Sequence, residues 1–122
     1  MSKIQRFTDL TVWQEGHNLV LLVYKRTKNF PSEEKFSLTN QVRRAAVSIT
    51  SNIAEGFGRQ SEKDRLHFYA MSRGSLLELQ NQLLIARDIE LLTPDDFTEL
   101  SEQTIIVHKL LNGLIRSIKN DN

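Results

Sequence analysis

Three histidines, His17, His67 and His108, are the side chains best suited to hold a metal, and helical bundles often house one. Asp64-x-x-His67 echoes the Glu-x-x-His element of di-iron bundles, which need two such elements and two further carboxylates. Ile105 stands three residues before His108 and Gln14 three before His17, so the second element is missing. Neither a metal nor another cofactor is expected, and the histidines are expected at exposed or edge positions. Nucleophilic chemistry fares no better. The chain has no cysteine, which excludes thiol nucleophiles, thiolate metal sites and disulfides. No serine sits in a Gly-x-Ser-x-Gly elbow, and Gly74-Ser75 falls mid-helix, where tight packing is its expected role. Glu55-Gly56-Phe57-Gly58-Arg59 has the glycines of a phosphate loop, but no Lys-Ser/Thr follows them and no strand precedes them. An enzyme is not expected.

Phosphate binding by summed charge is the chemistry that survives. Lys25, Arg26, Lys28, Lys35, Arg43, Arg44, Arg59, Lys63 and Arg65 fall on the first two expected helices and the link to the third. Residues 1–60 carry nine Lys or Arg against five Asp or Glu, and residues 61–122 carry seven against ten. A basic face for RNA or DNA is thereby permitted, and so is a merely solvated basic face. No RRM-type aromatic motif, zinc finger or polybasic arm accompanies these residues.

The element that must position them is Gln41 to Arg59. Leu38, Val42, Ala45, Ala46, Ile49, Ile53 and Phe57 recur at intervals of three and four, which predicts a helix with one apolar side. A polar stripe of Gln41, Arg44, Ser48, Asn52, Glu55 and Arg59 runs roughly 120° away around the helix. It is either an ordinary surface or a seam against another helix or subunit, where each group needs a partner. Gly56 and Gly58 are expected to close the helix in the left-handed conformation.

Three further helices are predicted. The first is capped by Thr8 or Asp9 and runs to about Asn29, after loosely held residues 1–8. Its inward stripe is Val12, Trp13, Leu19, Val20, Val23 and Thr27, with Gly16 allowing close packing and Leu21, Leu22 and Tyr24 off the stripe. Phe30-Pro31 breaks it, Ser32 to Glu34 start a short turn, and Ser37 caps the second helix. Ser61, with Asp64 three residues on, caps the third, whose apolar spacing runs through Leu66, Tyr69, Ala70, Arg73, Leu76, Leu77, Leu83, Leu84 and Ala86 to about Leu91. Arg73 is either an edge residue or a buried partner of Glu55 or Glu78. Thr93-Pro94-Asp95-Asp96 starts the fourth. Phe97, Leu100, Thr104, Val107, Leu111, Leu114 and Ile118 form its heptad, with Ile105, Ile106, Leu110 and Ile115 outside it and a tail at 119–122. A lone bundle cannot bury all these strips, so copies are expected to cover one another. The fold class is all-α, an antiparallel up-down-up-down four-helix bundle spanning 1–122 as one domain.

The run Leu38-x-x-Gln41-x-x-Arg44-Ala45-Ala46-x-Ser48-Ile49-x-x-Asn52-Ile53-Ala54-Glu55-Gly56-x-Gly58-Arg59 resembles the signature of the four-helix bundle family named for 23S rRNA intervening sequences. Phe7-x-Asp9-Leu10-x-Val12-Trp13-Gln14 and Phe30-Pro31 upstream extend the resemblance, as do Ser61, Phe68, Ala70 and Gly74-Ser75-x-x-Glu78-Leu79 downstream, to about Asp88. The resemblance implies a homo-oligomeric ring, a pentamer. Members are encoded within insertions in rRNA genes, and related accessory proteins assist the reverse transcriptase of diversity-generating retroelements, so such an enzyme is an implied protein partner. It implies no assigned activity, and a protein-interaction scaffold without nucleic-acid binding is the alternative.

A net charge of +1 over 122 residues excludes a polycation as a whole. The longest apolar run, Leu19 to Tyr24, is too short to span a bilayer, and the N-terminus lacks an apolar signal core. No membrane association and a cytoplasmic location are the expectations.

Overall fold

The computed structural model describes residues 3–34 and 37–120. Four helices, α1 (Thr11–Thr27), α2 (Leu38–Phe57), α3 (Glu62–Asp88) and α4 (Pro94–Asn120), pack around one core, with short 3-10 turns at Phe7–Asp9 and Ser32–Glu34. Side-chain contacts pair each helix with the next in opposite sense. Thr27 meets Arg43 while Gly16 meets Thr50. Gln80 meets Thr104 while Arg73 meets Asn112. Glu15 meets Gln103 while Arg26 meets Glu99, which closes α4 back onto α1.

The core follows the stripes of α1 and α2. Leu19, Val23, Val42, Ala46, Ile49 and Ile53 have no solvent exposure. Small residues on α2 let the neighbouring backbones approach. A Cβ on Gly16 would lie 3.0 Å from Thr50 Cγ2, so this glycine serves packing. Gly56 serves it more strictly: a Cβ there would lie 2.7 Å from Tyr69 Cε1 on α3. That contact corrects the helix-closing role expected of the two glycines. Gly56 lies inside α2, Gly58 is right-handed at φ −77°, and among the described residues no glycine has positive φ. The helix ends with the Gly58 N–H donating to the Ala54 and Glu55 carbonyls.

The caps were legible for α3 and α4 but not for α1 and α2. Ser61 Oγ accepts from Asp64 N at 3.1 Å, and Thr93 Oγ1 from Asp96 N at 3.1 Å. By contrast, α1 begins at Thr11, because Asp9 turns its carboxylate back to accept from Gln5 N and Arg6 N, each at 3.0 Å. Those N–H groups hold its carboxyl below the usual carboxylate range. Residues 7–9 are thereby structured rather than loose. Ser37 makes no side-chain cap, and Leu38 N donates instead to Glu34 Oε2 at 3.4 Å. The expected tail is also shorter, since α4 runs through Lys119 to Asn120.

The inner face of α3 is rotated from the expected stripe. Tyr69, Ser72, Leu76, Leu79, Gln82, Leu83 and Ala86 point inward, while Leu77 and Leu84 are exposed. Ser72 is tolerated there because its hydroxyl donates to the Ile49 carbonyl at 2.8 Å. Arg73 pairs with neither glutamate; its Nη1 donates to Asn112 Oδ1 at 3.0 Å on α4. Gly74 is exposed with nothing within 4 Å of a built Cβ, so within this chain it does not serve tight packing. The helix stops at Asp88 through a left-handed Glu90 (φ 65°), with Glu90 N donating to Arg87 O and Leu91 N to Ala86 O. On α4, Ile115 belongs to the core rather than to an outer strip. Ile105 and Ile106 are 46% and 43% exposed, and Leu21 on α1 is 55% exposed.

Candidate nucleic-acid interface

The nine cations fall into separate environments. Arg26 is taken up by α4: its Nη2 lies 2.7 Å from Glu99 Oε1 and its Nε 3.5 Å from Asp96 Oδ1. Lys25 is exposed on α1, and Lys35 lies outside the described residues. Arg59, Lys63 and Arg65 gather at the link between α2 and α3. There Arg59 pairs with Glu55 at 3.1 Å and covers the Phe68 ring, while Arg65 Nε donates to the Arg59 carbonyl at 2.7 Å. Lys63 is exposed beside Glu62 and Asp64. A depression lined by Ser51, Ala54, Glu55, Gly58 and Arg59 opens here, but its two charges neutralise each other.

The corner where α1 ends and α2 begins differs. It lies roughly 22 Å from the link, fifteen residues along α2 at 1.5 Å each. Lys28, Arg43 and Arg44 converge on it. Arg43 Nε donates to Thr27 Oγ1 at 3.0 Å, and Thr27 in turn donates to the Val23 carbonyl at 2.8 Å. The Arg43 guanidinium lies over the Tyr24 ring, 4.6 Å from its centroid. A cleft of ≈ 680 Å³ opens beside this pair, lined also by Thr39, Asn40, Arg44, Val47 and Ser48. A smaller hollow, lined in part by Lys28 and Ser32, adjoins it across Arg43 and Thr39. Among the described residues, no carboxylate lines either one. Sequence reasoning missed Tyr24, Thr39 and Asn40 as members of this corner. No spacing on one helix could have found them, because the register of α1 against α2 brings them to Arg43.

The polar stripe of α2 divides as well. Ser48 Oγ shares a 2.8 Å hydrogen bond with Ser75 Oγ, and Asn52 Nδ2 donates to Ser48 O at 2.9 Å and to Ser48 Oγ at 3.1 Å. These two residues form a seam against α3. Gln41 and Arg44 are exposed, and Glu55 and Arg59 pair with each other on the surface.

The histidines do not converge. His17 stacks on Trp13, His67 meets the edge of Phe68, and His108 is half-buried on α4. Among the described residues no group of three or more His, Cys, Asp or Glu could hold a metal. Nor is any helix among them long and apolar enough to cross a membrane.

These features define an all-helical bundle with a basic corner, and comparison with known proteins places it. The family of 23S rRNA-intervening sequence proteins matches residues 8–113, and the chain belongs to that family. A protein of unknown function from the S23 ribosomal protein family of Bacteroides thetaiotaomicron VPI-5482 has a similar crystal structure. Its TM-score is 0.82 at 22% identity, over 89% of this chain and 98% of that one. At that identity the likeness shows the fold alone. No curated protein matches.

Proposed function

We propose that the protein is a non-enzymatic cytoplasmic bundle that assembles with its own copies into a ring and binds RNA or DNA through the α1–α2 corner. The observation that carries the binding reading is the convergence of Lys28, Arg43 and Arg44 on clefts that no carboxylate lines among the described residues. Phosphate affinity comes from such local unbalanced charge, even where the net charge of the chain is small. Arg26 and Arg59 are left out of this reading, since acidic neighbours already balance them.

Assembly is supported by apolar side chains on two different edges of α4. Ile105 neighbours Leu84 in the groove between α3 and α4, with Leu77 two helical turns before Leu84. Ile106 stands three residues after Gln103, which meets Glu15, and so falls on the α1 side of α4, while α1 exposes Leu21. Two unlike patches make heterologous contacts, which close into rings when the rotation permits. Five copies is the number that the family resemblance implies. A partner of the reverse-transcriptase kind belongs to the same reading and would meet the outside of the ring.

Binding is tested by fluorescence anisotropy on labelled RNA and DNA across a salt series. Affinity should fall steeply with salt, and Arg43→Glu with Arg44→Glu should weaken it. Light scattering should give a mass several-fold above 14.1 kDa, reduced by Ile105→Asp with Ile106→Asp. A monomer at micromolar concentration overturns the assembly. Absence of binding at low salt, with a specific protein co-purifying, would replace the binding reading by the scaffold.

A further inference from the structure

We infer that the corner takes an unpaired nucleobase, stacked on the Tyr24–Arg43 pair, so that the protein prefers single-stranded nucleic acid to duplex. This rests on the nucleic-acid reading above and adds to it the form of the ligand. Basic residues alone attract any phosphate backbone and do not distinguish the two forms. An aromatic face in a recess does, because it can be reached only by a base that has left its stack.

Tyr24 supplies that face. It is 44% exposed even with the Arg43 guanidinium over its ring. The platform is held in place before any ligand arrives. Arg43 is tied through Nε to Thr27, whose hydroxyl is itself held by the α1 backbone, so the guanidinium cannot swing away without losing its bond to Thr27. Such anchoring lowers the ordering cost of binding. The cleft, at ≈ 680 Å³, falls within the range of about 300–1,000 Å³ that small-molecule sites occupy, so a nucleotide fits it. Arg44 lines the same cleft and Lys28 the adjoining hollow, so both are at hand for the phosphates of a strand. The Asn40 amide in the same cleft can hydrogen-bond a base edge. Duplex DNA or RNA keeps its bases stacked on their neighbours and offers this recess only phosphates.

The test is fluorescence anisotropy with a fluorescein-labelled oligothymidylate of about 12 nucleotides and a DNA duplex of the same length. The wild-type chain should bind the single strand more tightly. Tyr24→Leu, which keeps an apolar side chain in the cleft lining but removes the ring, should weaken single-strand binding about tenfold and leave duplex binding and the salt slope unchanged. Tyr24→Phe, which keeps the ring, should retain wild-type affinity and shows that a substitution here does not unfold the corner. Arg44→Glu should weaken both ligands. Equal wild-type affinity for the two, or a Tyr24→Leu chain that binds the single strand as wild type does, overturns the stacked base while the electrostatic reading stands on Arg44→Glu. Failure of the wild-type chain to bind either ligand at low salt overturns both.

Discussion

Gly56 is where the packing of this bundle can be tested most sharply, because two effects of known size oppose each other there. Replacing a glycine inside a helix by alanine stabilises it by about 1 kcal/mol through backbone entropy. At Gly56 the added methyl would sit 2.7 Å from Tyr69 Cε1 and 3.0 Å from Phe68 Cβ, where carbon pairs prefer about 3.5–4.0 Å. Neither neighbour can withdraw cheaply. Tyr69 is 2% exposed in a filled core, and the Phe68 Cβ is carried by the α3 backbone. Overpacking of this kind costs about 1–3 kcal/mol. The clash should win, giving a net loss of about 1 kcal/mol and a fall in Tm of about 4 °C for a chain of this length. Gly74→Ala is the matched control, since nothing lies within 4 Å of its built Cβ and the entropy gain is unopposed. It should raise Tm by a similar amount. Thermal unfolding followed by circular dichroism reads both, and in a Tyr69→Leu background the Gly56→Ala penalty should shrink, with the Phe68 Cβ contact remaining. If Gly56→Ala and Gly74→Ala both stabilise, the close approach of α2 and α3 is not what this reasoning takes it to be.

Glu90→Gly should stabilise the chain by about 1 kcal/mol, because φ 65° costs a side-chain-bearing residue that much, and chemical denaturation would register it. A double-mutant cycle on Arg73→Ala and Asn112→Ala should return a coupling of about 1 kcal/mol, and zero coupling would show that the bond across α3 and α4 contributes nothing. Asp9 is held below its ordinary value of 3.8, first by the Gln5 N–H and then by that of Arg6. Its contribution to the N-terminal turn is therefore complete above that value and lost as pH falls through the lower folded one. Protection of the Gln5 and Arg6 amides against hydrogen exchange should follow that course and be missing at all pH in Asp9→Ala.

The sequence made the all-α class, the four helices and two of the caps legible for a physical reason: those signals are local. Ser61 and Thr93 each meet an N–H three residues on, and α2 carries its whole core stripe within one element. The face of α3 was not legible. Leucines at 76, 79 and 83 compete with leucines at 77 and 84 for the same period, and the polar Ser72 and Gln82 occupy core positions. Only the Ile49 carbonyl on α2 explains why a serine can be buried there. Long-range pairing escaped for the same reason. Arg73 found Asn112 on α4, thirty-nine positions away, and Arg26 found Glu99, seventy-three away. Every cation in the basic half looks alike until the helices are packed. Packing balances Arg26 and Arg59 and leaves Lys28, Arg43 and Arg44 gathered at the corner without a salt bridge to a carboxylate among the described residues.

That sorting of cations explains why the proposed assembly and the proposed binding do not compete. The corner lies between α1 and α2, where Arg43 is tied to Thr27. Among the apolar residues that call for covering, Ile105 and Ile106 are exposed on α4, about 100° apart around the helix. Copies joined along α4, with contacts on α1 that stop short of Tyr24, would leave Tyr24, Arg43 and Arg44 open to solvent. Three cations at one corner give modest affinity, since each neutralised phosphate contributes only its share of counterion release. Repeated around a ring, the same corner turns later contacts into intramolecular ones, which raises avidity without adding a residue to the site. Under the proposed assembly, a chain with a net charge of only +1 would hold a polyanion by concentrating unbalanced corners rather than total charge.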